Sequence, residues 1–183
     1  MKLKVLSENA KQAIEAEFPK YPDKRSVLLA ALRIAQEEVG YVSEPAMIDV
    51  AELLELTPVQ VYDVATFYTL YNLKPVGKYV IQVCKTLSCA LVGAGPLIAH
   101  LQERLGIQIG GTTSDGLFSL KLVECLASCG SGPMMQINDQ YYEYLTTERV
   151  DRILEDLKRD GKSHLASGPY MIPMQNSPTG EKS

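Results

Sequence analysis

The sequence predicts an α+β chain: an N-terminal helical bundle over residues 1–75, then a small α/β domain over residues 76–162. Two observations carry this reading. Residues 1 to about 73 place apolar side chains at helical spacing. After Pro75 and Gly77 the period changes, and short β-branched and aromatic runs alternate with helical stretches. A length of 183 residues suits one domain or two small ones.

In the first half, Pro19 and Pro22 mark an early loop. The segment Ser26–Val39 lines up Val27, Leu28, Ala31, Leu32, Ile34 and Ala35 as one broad stripe. Gly40 follows in position for a left-handed cap. Ser43 and Pro45 open a helix that carries Met47, Ile48, Ala51, Leu53 and Leu54. Thr57, Pro58 and Gln60 open another, with Thr57 and Gln60 spaced for a capping box. No catalytic constellation occurs here. Most of the aromatics Phe18, Tyr21, Tyr41, Tyr62, Phe67, Tyr68 and Tyr71 are expected in the bundle's own core.

In the second half, Tyr79–Val83 reads as a strand that Cys84 ends. Gly95-Pro96 opens a helix through Leu97, Ile98, Leu101 and Leu105, which Gly106 stops. Asp115-Gly116 marks a turn before a strand from Phe118 to Val123. Met134–Ile137 and Tyr141–Leu145 flank Asn138-Asp139-Gln140 as a hairpin. Thr147 caps a last helix, whose apolar face is Val150, Ile153, Leu154 and Leu157. The order β-α-β-β-β-α fits a small sheet with helices packed on it, as in thioredoxin-like domains. Residues 163–183 are expected to form a flexible or partner-docking tail, with Pro169-Tyr170-Met171-Ile172-Pro173 as its one sticky patch.

Composition removes several function classes. With 46% hydrophobic and 22% charged residues the chain is neither disordered nor collagen-like. A net charge of −4 argues against nucleic acid as a partner. No apolar run reaches the roughly 20 residues of a membrane-spanning helix, so no direct membrane insertion is expected. The first residues are too broken by charge for a secretory signal. The expected location is therefore the cytoplasm, or a membrane face turned toward it. No phosphate-cradling loop is present, since Gly93-Ala94-Gly95 is not G-x-G-x-x-G.

Cysteine is the informative residue. The four are Cys84, Cys89, Cys125 and Cys129, arranged as C-x4-C, 35 intervening residues, and C-x3-C. A chain in a reducing compartment has little use for structural disulfides. Each pair is a strand end plus the loop after it, so neighbouring strands would bring all four thiols to one edge of the sheet. Four thiolates hold a [2Fe–2S] cluster, and they also hold structural zinc. A redox dithiol would need C-x-x-C, which is absent. Spacing favours iron–sulfur over zinc. Thr86, Ser88, Gly93 and Gly95 around the first pair, and Ser128, Gly130, Ser131 and Gly132 around the second, would let backbone N–H groups approach sulfur closely. Neither His100 nor His164 is near a cysteine in sequence, which argues against a Rieske-type site.

The segments Val64-Ala65-Thr66-Phe67-Tyr68, Gly77-Lys78-Tyr79, Val83-Cys84 with Thr86-Leu87-Ser88-Cys89, Asp115-Gly116, and Val123-Glu124-Cys125-Leu126 with Cys129 resemble one family. It is the small thioredoxin-like [2Fe–2S] subunit of the NADH dehydrogenase module of respiratory complex I, with relatives in NAD-linked hydrogenases and formate dehydrogenases. The resemblance runs from about residue 10 to 160. It implies that Cys84, Cys89, Cys125 and Cys129 are the cluster's ligands. It also implies an electron-transfer subunit of NADH:quinone oxidoreductase, peripheral to the membrane through its complex. That subunit would exchange single electrons with the FMN of a larger partner flavoprotein that also binds NADH, and would catalyse nothing alone. Part of the aromatic surface of the helical half would then pack against that partner. The chain departs from the family at Ala127 and Ser128, where Gly and Ala are more usual, and at Gly132, where Ala precedes the proline. A zinc-stabilised assembly module without redox role is the competing reading of the cysteines.

Overall fold

The computed structural model describes residues 5–169. The chain divides into two compact units, Met1–Val76 and Gly77–Ser183.

Among the described residues, the first unit holds four α-helices, α1 (Glu8–Glu15), α2 (Leu28–Val39), α3 (Glu44–Leu54) and α4 (Pro58–Phe67), with short 3-10 turns between α1 and α2. Each start has a local cause. The Ser7 and Ser43 side chains accept the N–H groups of Ala10 and Ala46. The Thr57 hydroxyl accepts the Gln60 N–H while the Gln60 side chain accepts the Thr57 N–H, a complete capping box. Gly40 ends α2 at φ 88, a left-handed conformation that costs glycine nothing. Ile14, Leu32, Val42, Val50, Leu54 and Val61 meet in one core.

Two long-range ties close this unit. The buried Asp49 carboxylate of α3 accepts the N–H groups of Val5 and Leu6, at 2.8 and 3.0 Å. After α4 the chain folds back on α2, where Tyr71 Oη donates to the Leu29 carbonyl at 2.8 Å and the Asn72 N–H donates to Gln36 Oε1 at 2.6 Å. Tyr71 is therefore buried, but Tyr21, Tyr62, Phe67 and Tyr68 are exposed. The expectation that most of these aromatics fill the core is corrected: the core is mostly aliphatic, Tyr71 joins it and Phe18 packs partly buried against it, and Val61 and Ala65 form the buried side of α4.

Among its described residues, the second unit forms a five-stranded sheet in the order β2-β1-β3-β4-β5. Its strands are β1 (Tyr79–Cys84), β2 (Phe118–Val123), β3 (Met135–Ile137), β4 (Gln140–Tyr142) and β5 (Gly168–Pro169). Strands β1 and β2 are parallel, and the other pairings are antiparallel. Parallel neighbours need a crossover. It contains the short helix α5 (Leu87–Leu91) and the longer α6 (Ala94–Leu105). Helix α7 (Thr147–Asp160) follows the hairpin, and its Val150, Ile153 and Leu154 pack with Leu97 and Leu101 of α6 against Tyr79, Ile81, Val83, Phe118 and Leu120.

The hairpin turns at Asn138, at φ 50, and Gln140 already belongs to β4. The Asn138 side chain also accepts the Val80 N–H and donates to the Lys78 carbonyl, so the turn caps the start of β1. Gly77 shows why no side chain fits before β1: a Cβ there would lie 2.9 Å from the Phe118 carbonyl carbon.

Several boundaries differ from the sequence reading. The cap of α7 is Thr146, not Thr147, because the Thr146 hydroxyl is the one that accepts the Arg149 N–H. Residues 163–169, expected as the start of a flexible tail, continue the fold. The Ser163 hydroxyl donates to Asp156 at 2.8 Å, the Ser167 N–H donates to the Tyr141 carbonyl at 2.7 Å, and Gly168–Pro169 adds an edge strand to β4. The signal was weak because a two-residue strand beside proline has no hydrophobic period. Of the sticky patch, Tyr170 to Pro173 lie outside the described residues.

Candidate metal centre

Cys84 is the last residue of β1 and pairs in register with Val123, the last residue of β2. The two chains therefore leave the sheet side by side, in the same direction. The first exit enters α5, which carries Cys89. The second passes Cys125 and reaches a single 3-10 turn, Cys129–Ser131. Two expectations shift slightly: Cys89 is helical rather than in a loop, and Cys125 lies beyond the end of β2.

All four cysteines are free thiols, with Cys84 and Cys89 buried and Cys125 and Cys129 exposed. The Sγ atoms of Cys125 and Cys129 are 3.5 Å apart. Cys84 Sγ lies 3.2 Å from Thr86 Oγ1, and the Ala127 N–H donates to Cys125 Sγ at 3.3 Å. Among the described residues, no three His, Cys, Asp or Glu side chains group around a point as one metal ion would require.

The thiols divide electrostatically. Burial pushes the Cys84 thiol up, but hydrogen bonds from the Thr86 hydroxyl, the Thr86 N–H and the Leu126 N–H outweigh it and leave its pKa lowered. For Cys89 the Met134 N–H opposes only in part, and burial together with Cys84 pushes it up to about 11. The Ala127 N–H, then the Cys129 thiol, lower Cys125. Cys129 is raised in turn by its hydrogen bond to Cys125. Each pair thus holds one thiol readier to ionise and one less ready, as two donors sharing a site do.

The surroundings fit close approach to sulfur. A Cβ on Gly132 would lie 3.4 Å from Cys89 Sγ and 3.0 Å from Val92 Cγ2. Ala127 sits at φ 63, which turns its N–H onto Cys125. Glu124 is exposed and paired with Lys85 at 3.1 Å, so it is a solvated charge. Leu87, Leu91 and Val92 are exposed on and just after α5. His100 is engaged by Asp151 at 3.0 Å and His164 by Asp156 at 3.3 Å, each in a pairing with α7.

Sequence reasoning missed two side chains that hold the second loop. Tyr141, placed by the sequence in one arm of the hairpin, donates its hydroxyl to the Leu126 carbonyl at 2.8 Å. Glu143 accepts the hydroxyls of Ser128 and Ser131. Neither has a local sequence signal, because both act across more than ten residues of chain.

Residues 14–158 match the family model for thioredoxin-like [2Fe-2S] ferredoxin. A subunit of the NADH-quinone oxidoreductase of Rhizobium meliloti (strain 1021) is 43% identical over 148 residues, covering 81% of this chain and 88% of that protein. NADH-quinone oxidoreductase subunit 2 of Thermus thermophilus is also 43% identical over 148 residues, covering 79% of this chain and 82% of that one. Among solved structures, an NAD+-reducing [NiFe]-hydrogenase in the H2-reduced state superposes with a TM-score of 0.65 at 24% identity, over 83% of this chain and 24% of the hydrogenase chain. That likeness speaks for the fold. With the cysteine pairs at adjacent strand ends and most of its length matched by the family and its relatives, the chain belongs to the thioredoxin-like [2Fe-2S] ferredoxin family.

Proposed function

We propose that Cys84, Cys89, Cys125 and Cys129 hold one [2Fe–2S] cluster, and that the chain is an electron-transfer subunit of an NADH:quinone oxidoreductase. The observation that carries this is the register of β1 and β2, which sends both cysteine pairs out of one end of the sheet. The donor set fits. A binuclear cluster takes two thiolates on each iron, and the four thiols here influence one another across the two strand exits, with Cys125 and Cys129 Sγ 3.5 Å apart. When bound, such a cluster takes up and gives back one electron at a time.

The chain's own residues prepare the site. Cys84 and Cys89 present sulfur from the buried side, and Cys125 and Cys129 from the exposed side, where a redox partner can come close. The Thr86 hydroxyl and the Ala127 N–H donate to sulfur and favour its ionised form. The partner we infer is a larger flavoprotein that binds FMN and NADH, with which this chain exchanges single electrons. The names of the relatives support membership in such a complex. No helix among the described residues is long and apolar enough to cross a membrane, so we infer that the chain reaches the membrane through its complex. We further infer that the exposed aromatic side of α4 meets the flavoprotein.

The test is the purified chain. Two irons and two sulfides per chain, visible absorbance and a reduced-state EPR signal are expected. A colourless protein with one zinc and no iron would establish the zinc-stabilised module instead.

A further inference from the structure

The loop that carries Cys125 and Cys129 leaves the sheet at Val123 and rejoins it at Met135. Side chains from the end of β4 and just beyond it hold this loop. Tyr141 Oη donates to the Leu126 carbonyl at 2.8 Å. Two residues on, one oxygen of Glu143 accepts the hydroxyls of both Ser128 and Ser131. The Tyr144 N–H then donates to the Ser131 carbonyl at 2.8 Å. The span 126–131 is thus tied at three points to the span 141–144, and Cys129 sits between the two serines that Glu143 grips. Those two hydroxyls hold the Glu143 carboxyl below the usual carboxylate range, so it is an anion at neutral pH.

We propose that Glu143 and Tyr141 are positioning residues for the [2Fe–2S] centre: they fix the loop that presents Cys125 and Cys129, and Glu143 supplies a fixed negative charge beside it. The proposal rests on the reading that the four cysteines hold the cluster. Groups behind the ligands orient them and tune the centre. Glu143 does so in two ways. It occupies the hydroxyl protons of Ser128 and Ser131, which are then not free to donate to sulfur. Its charge also opposes the electron added on reduction, since net charge is one determinant of cluster potential.

The experiment uses the full-length chain with its cluster. The variants are Glu143→Gln, Tyr141→Phe and the double Ser128→Ala/Ser131→Ala, with Glu103→Gln, an exposed carboxylate on α6, as control. The readouts are the EPR g-values of the reduced state, the midpoint potential, and the half-time of cluster loss to a chelator. Glu143→Gln is expected to raise the potential, change the g-values and speed cluster loss about tenfold, within the range for a residue behind the ligands. Tyr141→Phe removes no charge and should speed loss with a smaller change in potential. The double serine variant should change the g-values and speed loss, and the control should match wild type. Should Glu143→Gln fail to fold, the double serine variant carries the test on the same readouts. Faster loss with unchanged g-values and potential would reduce Glu143 to a folding brace and overturn the proposal, as would wild-type behaviour throughout. A wild-type chain that takes up no cluster would sink the earlier reading of the cysteines, whereas a loaded wild type with indifferent variants sinks this one alone.

Discussion

Cys84 stands opposite Val123 on the last rung of the β1–β2 ladder. Because the two strands are parallel, both chains exit in the same direction, and cysteines some 40 residues apart in sequence arrive at one place. An antiparallel pairing of the same strands would send them to opposite ends.

Each cysteine is expected to matter, though not equally. Serine at Cys84 or Cys89 puts a hydroxyl in a buried site and removes a thiolate, so iron content should fall well below two per chain. Serine at Cys125 or Cys129, which are exposed, should leave a labile cluster with a shifted reduced-state EPR signal. A Cys125→Ser chain with full iron and an unchanged spectrum would show that Cys125 is not a ligand.

Thr86→Val tests the hydroxyl 3.2 Å from Cys84 Sγ. Valine keeps the shape and loses the donor. Donation to sulfur helps most when the centre carries its extra electron, so its loss should make reduction harder. A loss of about 1 kcal/mol lowers a one-electron potential by about 40 mV. EPR-monitored redox titration measures the shift, and a rise in potential would contradict the assignment of Thr86 as donor.

Ala127 is an opposite case, a place where the chain carries strain. Its φ of 63 is left-handed, which costs a residue with a Cβ about 1–2 kcal/mol. Glycine removes that strain and returns about 0.4–1 kcal/mol as unfolded-state entropy. Ala127→Gly should therefore stabilise the chain by about 0.5–1 kcal/mol, read as a higher midpoint of thermal unfolding. The departure from the family pattern was visible in sequence, but its meaning needed the backbone angle.

Much of the site was legible because cysteine spacing and strand-end position are local properties. The helix starts were legible for the same reason: Ser43, Thr57 and Gln60 act within three residues of themselves. What escaped were contacts made across the chain. Glu143 reaches Ser128 and Ser131, and Tyr141 reaches Leu126, through a hairpin whose register is not written in either segment. The edge strand β5 escaped because its two residues are placed by their partner β4, not by their own pattern.

Asp49 is another long-range contact, and it predicts a stability effect. Its buried carboxylate accepts two N–H groups from Val5 and Leu6. Asp49→Ala would leave both donors without an acceptor, and hydrogen bonds to charged groups contribute about 1.5–3 kcal/mol each. Part is regained if the first residues detach into water, so a net loss of about 2–3 kcal/mol is expected by urea unfolding. Asp49→Asn keeps an acceptor and should lose less. An Asp49→Ala chain as stable as wild type would mean that the N-terminal tie contributes nothing.

The last prediction concerns α4, the helix whose exposed aromatic side is proposed to meet the flavoprotein. Val61 and Ala65 are buried, and the side turned away from them carries Val59, Tyr62 and Phe67, with Phe67 77% and Tyr62 55% exposed. Phe67 meets the Tyr68 ring edge-on at 4.9 Å, so this aromatic surface extends past the helix end. Substitution of exposed side chains away from caps and cores shifts stability by at most about 0.5 kcal/mol. Aromatic anchors at an interface often contribute about 2 kcal/mol or more, which is more than about tenfold in affinity. The double variant Tyr62→Ser/Phe67→Ser should therefore unfold at the wild-type urea concentration and keep its cluster, yet bind the flavoprotein at least about tenfold more weakly. Titration of the loaded chain against the purified flavoprotein measures this. Wild-type affinity in the double variant would remove α4 from the interface and leave the exposed thiol pair with Leu87, Leu91 and Val92 as the face through which the chain meets its partner.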